Sequence, residues 1–154
     1  MARAAAVERH GEAAETLDLA VIGMGKCGAR ELNYISDVDV VFVHAAGEGQ
    51  DETKAAVVAA EMAGGIGKVV YGSAPEPNLW EVDANLRPEG RDGALSRTVD
   101  SHAEYYRRWA HGWEFQALLK ARPIAGSTAL GAEYMDRMWP VSYTHLTLPT
   151  IYSV

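Results

Sequence analysis

Residues Leu19–Val43 read LAVIGMGKCGARELNYISDVDVVFV, and how this stretch is parsed decides the fold. An apolar run, "LAVI", enters "GMGKCG", Gly23 to Gly28. A strand followed by G-x-G-x-x-G is the fingerprint of a dinucleotide-binding turn. Such a fold also needs a helix long enough to cover the sheet, and an acid at the far end of the next strand. Here the next strand starts near Asp37, which leaves room for little more than two helical turns. Asp37 and Asp39 open "DVDVVFV" rather than close it, so the spacing argues against a dinucleotide site. Side chains alternate along a strand, so Asp37 and Asp39 share one face while Val38 and Val40 face a core.

Two carboxylates on one strand face repel each other unless a cation lies between them. Magnesium prefers oxygen ligands and is commonly held by carboxylates together with substrate phosphates. Glycines at Gly23, Gly25 and Gly28 let backbone N–H groups approach a phosphate, Lys26 adds positive charge, and Ser36 can donate a hydrogen bond. Downstream, "LWEVDANLRPEG" supplies another acidic strand, with Glu81 and Asp83 on one face and Trp80 and Val82 on the other. If it pairs beside "DVDVV", Asp83 joins Asp37 and Asp39. Such a trio can hold two ions roughly 4 Å apart, which clamp the attacking and leaving oxygens of a displacement at phosphorus.

Around this centre, the segment from Ala2 to Thr16 reads as helix and "AGEGQD" as loop. Glu52 to about Ala63 has a helical pattern that "GGIG" interrupts. "NLWEVDANL" alternates as a half-buried strand closed by "RPEGRDG". Ser101 to about Arg122 reads as helix with a kink or break at Gly112, its aromatic residues chiefly core. "EYMDRMWP" is helical, and Pro140 is expected to end it.

The 154 residues suffice for one domain with a real core. The net charge of -7, with no basic stripe, argues against nucleic acid as the main partner. No apolar run is long enough to span a bilayer, and the polar start does not suit a signal peptide. The single cysteine, Cys27, excludes an internal disulfide and suits a reducing, cytoplasmic setting. His44, His102 and His111 lack metal-ligand spacing.

The segment Val141–Val154 stands apart: His145 is its one ionisable side chain besides tyrosine. Ser142–Thr150 back-translates to a string that looks like a sequencing-library adapter read in frame. The expected organisation is therefore a catalytic-domain fragment over 1–140 and an adapter-derived tail over 141–154, with a natural β-rich tail as the alternative. On the first reading the natural protein continues past Pro140.

A glycine turn, a short helix, D-x-D on a strand and a third acid on a later strand together look like the polymerase-β-type nucleotidyltransferase superfamily. "GMGKCGARELNYISDVDVVFV", "LWEVDANLRPEG" and "YYRRWAHGWEFQALLKAR" in that order resemble the bifunctional glutamine synthetase adenylyltransferase/adenylyl-removing family over roughly Leu17 to Gly131. "RELNYISD" resembles its first, adenylyl-removing half. The resemblance implies an α+β, polymerase-β-like fold, a small mixed sheet flanked by helices and here truncated. It also implies phosphorolysis of AMP from a modified tyrosine of glutamine synthetase, releasing ADP. Magnesium, as two ions, would then sit on Asp37, Asp39 and Asp83. Gly23, Gly25, Lys26, Gly28 and Ser36 would lie on the phosphate side, Arg87 would face phosphate or pair with an acid, and Lys120 and Arg122 would approach the nucleotide. Trp113 and Glu114 match the same downstream motif, and Ala117 shares a helix face with Trp113. The implied partners are glutamine synthetase and, from the same long chain, a second catalytic half and a regulatory segment. The alternatives are the ATP-using transferring half and a non-catalytic nucleotide- or protein-binding module.

Overall fold

A computed structural model describes residues 1–28, 38–72 and 82–147. Its elements are α1 (Ala2–His10), α2 (Glu12–Glu15), β1 (Asp18–Gly23), α3 (Gly25–Gly28), β2 (Val38–Ala45) and α4 (Glu52–Gly72). Next come β3 (Val82–Asp83), β4 (Ser96–Arg97), α5 (Val99–Arg108), α6 (Gly112–Leu119), β5 (Arg122–Gly126) and α7 (Thr128–Thr147). The expected small mixed α+β sheet is present. β1 lies between β2 and β5, antiparallel to both, and the other edge of β2 carries β3 and then β4, both parallel to it.

The sheet is covered on both faces. Leu19, Val21, Val40 and Phe42 point to one core with Ala55, Val58, Ala59 and Met62 of α4 and Ala6 of α1. Ala20, Ile22, Val41 and Val43 point to the other, closed by Tyr106 of α5, Phe115 and Leu118 of α6, and Tyr134 and Met138 of α7. Burial on both faces explains why "VVFV" is an unbroken apolar run rather than an alternating one. Val38 and Val82 pack against the first core, as the alternation of the acidic strand requires.

Three expectations need correcting. α4 runs unbroken through "GGIG" to Gly72. Each helical glycine costs about 1 kcal/mol, and packing offsets that cost here, because a Cβ on Gly65 would sit 3.3 Å from Ala2 Cβ of α1. The Ser101–Arg122 region has its expected break, over Trp109–His111 just before Gly112, but its helix ends at Leu119, so Arg122 begins a strand that the pattern did not show. That strand, "RPIAG", reads as loop by composition, yet it pairs with the edge of β1 that β2 leaves open. Lastly, Pro140 lies inside α7 instead of ending it. The turn beyond it is held from the sides: Val141 packs on the second core, and the buried Ser142 hydroxyl donates to the carbonyls of Met138 (3.2 Å) and Trp139 (3.1 Å).

Two histidines are core residues. His44 Nδ1 and Ser96 Oγ share a 2.7 Å hydrogen bond that joins β2 to β4. His102 Nε2 donates to the Phe42 carbonyl at 3.4 Å, and its ring stands edge-on to Tyr134. Burial pushes His102 down to about 4 and lowers His44 as well. Between about pH 6.5 and about pH 4 the unfolded chain therefore binds a proton that folded His102 refuses. Stability is full above this window and falls through it by about 1.4 kcal/mol per pH unit. Urea titrations at its two ends should show the loss, and His102→Gln should flatten most of it, leaving the smaller contribution of His44.

Candidate active site

The antiparallel register of β1 and β2 brings the end of one strand to the start of the other. Gly23 stands opposite Val40, and the Met24 amide donates to the Asp39 carbonyl at 2.8 Å. The glycine turn therefore folds directly over the acidic end of β2. Gly25 has φ 52°, a left-handed conformation that favours glycine, and a Cβ there would lie 3.5 Å from Asp39 Oδ2. The pairing of β2 with β3 is equally specific: Val38 matches Val82, and Asp39 matches Asp83. Register partners in adjacent strands project from the same face, so Asp39 and Asp83 form the pair that the alternation anticipated.

The opposite flank is made by the segment after α6. Arg122 pairs with Gly23 in the β1–β5 register, and its Nε donates to the Gly28 carbonyl at 3.0 Å. A Cβ on Gly28 would lie 1.9 Å from the Lys120 carbonyl oxygen and 2.6 Å from that of Gly23. Gly23, Gly25, Gly28, Asp39, Asp83, Lys120 and Arg122 thus meet at one end of the sheet. Lys26 lies in the one-turn helix α3 between Gly25 and Gly28. Asp37, Ser36, Glu81, Trp80 and all of "RELNYISD" lie outside the described residues. Among the described residues no cluster of three or more His, Cys, Asp or Glu is arranged to hold a metal ion. Asp39 and Asp83 are nonetheless hard oxygen donors side by side, the donor type that magnesium takes.

The remaining motif residues divide between scaffold and surface. Among the described residues Arg87 has no acid partner, and its guanidinium is held by backbone carbonyls. Its Nε donates to Gly93 O (3.1 Å), Nη1 to Ala84 O (2.9 Å) and Nη2 to Arg91 O (3.3 Å). Glu114 is 5% exposed and works as scaffold: it accepts from the His111 amide and from the Tyr105 hydroxyl, each at 2.7 Å. Desolvation, and to a lesser degree that contact, raise the Tyr105 pKa. Nothing periodic in the sequence points to Tyr105, because its tie to Glu114 spans the helix break. The H-x-x-E spacing of a capping box at His111–Glu114 was the available signal. Trp113 faces outward at 56% exposure, as does Trp109 at 68%, so the aromatic set is core only in part.

This is a mixed α+β domain whose sheet end joins paired carboxylates to a glycine turn, a make-up suited to an enzyme that works on phosphate esters. The family model described as glutamate-ammonia ligase adenylyltransferase matches residues 1–137. Proteins named bifunctional glutamine synthetase adenylyltransferase/adenylyl-removing enzyme are 55% identical in Streptomyces avermitilis, over 80% of this chain and 12% of that protein. The Streptomyces coelicolor relative is 56% identical over 80% of the chain and 13% of its own length, and that of Corynebacterium glutamicum 51% over 88% and 12%. The chain belongs to the glutamate-ammonia ligase adenylyltransferase family, and it spans about an eighth of the length of these relatives. No helix among the described residues is long and apolar enough to cross a membrane.

Gly28 offers a direct check on the assembled turn. Gly28→Ala forces a Cβ against two backbone carbonyls that cannot rotate away. It should cost about 1–3 kcal/mol, the usual penalty of overpacking, read as a lowered Tm, whereas Gly67→Ala, which meets nothing within 4 Å, should not lower it.

Proposed function

We propose that this chain is a polymerase-β-like catalytic segment that removes AMP from a tyrosine of glutamine synthetase by phosphorolysis. The observation that carries the reading is the register pairing of Asp39 with Asp83 beneath the Gly23–Gly28 turn. Inorganic phosphate supplies an oxygen that forms a new bond to the AMP phosphorus as the bond to the tyrosine oxygen breaks. ADP is released, and the tyrosine oxygen recovers a proton. Magnesium, held by Asp39 and Asp83 together with Asp37, would neutralise charge around phosphorus as a Lewis acid. The glycine turn sets backbone N–H groups where a phosphate can be oriented, and Lys26 adds charge from the same turn. Arg122 fixes that turn through Gly28. Lys120, exposed at the end of α6 and in backbone contact with the turn, stands where it can meet the nucleotide.

The names of the relatives support glutamine synthetase as the target. Because they are far longer, the second catalytic half and a regulatory segment of the same polypeptide are the further proposed partners. Choice of the removing over the transferring half rests on "RELNYISD". We also assign 1–140 to the catalytic segment and 141–154 to an adapter-derived tail; the family match ends before that tail. The proposed setting is the cytoplasm.

In the full-length parent polypeptide, with adenylylated glutamine synthetase, magnesium and phosphate, ADP should form. Asp39→Asn and Asp83→Asn should each lower its rate by about 100-fold or more, the scale of losing one electrostatic contact to a transition state. Loss of AMP transfer from ATP to unmodified glutamine synthetase in these two variants, with ADP formation from the adenylylated form retained, would assign the segment to the transferring half. Both activities retained in the two variants would make the segment a binding module.

A further inference from the structure

We propose that Arg87 is a positioning residue that holds Asp83 against Asp39, rather than a ligand for phosphate. The proposal rests on the carboxylate reading of the site and adds a residue that acts on it from behind.

β3 is only Val82–Asp83, so two residues of pairing must hold the Asp83 carboxylate in place. So short a strand is weak by itself. Beyond it the chain makes a run of tight turns wound round the Arg87 guanidinium. Arg87 N donates to Ala84 O (3.2 Å), Gly90 N to Arg87 O (2.8 Å) and Gly93 N to Gly90 O (3.2 Å). The side chain then returns to the carbonyls of Ala84, Arg91 and Gly93. Ala84 directly succeeds Asp83, so the guanidinium anchors the residue next to the carboxylate and ties it to Gly93, shortly before β4. The turn is closely built: a Cβ on Gly93 would meet Pro88 O at 2.0 Å, and Glu89 adopts φ 65°, a conformation that non-glycine residues seldom take. β3 and β4 lie along the same edge of β2, so the Arg87 loop fixes their separation. Asp83 itself is tied into the clamped turn: its Oδ1 accepts from the Asn85 amide at 2.8 Å.

A planar fork that satisfies three carbonyls cannot be replaced by a lysine, whose ammonium is a single compact charge. A phosphate ligand, by contrast, would tolerate lysine in large part. The two roles therefore separate.

The test uses the 154-residue chain with Mn2+ alone, monitored by electron paramagnetic resonance, and inorganic phosphate alone, monitored by calorimetry. Amide exchange by NMR reports on the turn. Arg87→Ala and Arg87→Lys should both weaken Mn2+ binding by about 10- to 100-fold, the usual effect of removing a partner that orients a ligand. Both should speed exchange of the Asn85 amide, and phosphate affinity should not change. Unchanged protection of Asn85 in Arg87→Ala would overturn the proposal whatever the metal does. So would restoration of Mn2+ affinity by lysine, or a loss of phosphate binding in Arg87→Ala that lysine restores. Failure of the underlying site looks different: Mn2+ would bind Asp39→Asn and Asp83→Asn as well as the unaltered chain, or would not bind at all. The Asn85 readout would then still decide the role of Arg87 in holding the turn. Protection of the α7 amides, remote from the loop, shows that each variant is folded.

Discussion

The bond from the Met24 amide to the Asp39 carbonyl joins the two elements on which the site depends. It closes the last rung between β1 and β2 and begins the glycine turn at the same point. β2 cannot shift to relieve anything that happens there, because it is buried on both faces and paired on both edges. A slip of one residue would turn Val41 and Val43 into the core now filled by Val40 and Phe42. Asp39 is thereby fixed next to Asp83, and the repulsion between like charges cannot be relaxed by moving the strand. A rigid acidic pair of this kind raises affinity for a cation because no rearrangement is needed when one binds.

Much of this was legible in the sequence because it stems from short-range periodicity. The alternation in "SDVDVVF" and "WEVDANL" defined which residues share a face, whereas the burial of β2 on both sides emerged only in the fold. The part that failed did so where tertiary packing overrides local preference. "GGIG" has poor helix propensity, yet α1 needs a side-chain-free surface to approach α4. "RPIAG" has little strand character, yet the open edge of β1 gives its backbone groups partners. Its Gly126, at φ 84°, sits so close to β1 that a Cβ would reach Leu19 O at 2.2 Å. That approach reflects a long-range pairing that no local window contains.

The candidate site was legible to the same degree. The carboxylates could be grouped because strand periodicity is simple, and the pairing of Asp39 with Asp83 agrees with that grouping. Arg87 could not be assigned from sequence, and Glu114 only through the capping-box spacing to His111. An arginine beside an acidic strand and a glutamate beside tryptophan both look like surface chemistry. In the fold each satisfies backbone or hydroxyl groups at a break in regular structure, Arg87 in the loop after β3 and Glu114 at the start of α6. These are partners that only the assembled chain supplies.

Two arginines near the acidic end, Arg87 and Arg122, share one kind of contact. Arg87 donates to loop carbonyls after Asp83, and Arg122 Nε donates to Gly28 O at the end of the glycine turn. Both segments carry backbone that no strand ladder or long helix secures, and in both the guanidinium supplies the missing donor. This division of labour suits the proposed reading, in which carboxylates and phosphate share one small space. Rigid cationic forks bonded to carbonyl oxygens stiffen the walls from behind. On the proposed reading, the turn amides and the carboxylate pair are then left to face the reacting phosphorus, the arrangement a displacement between two oxygens requires.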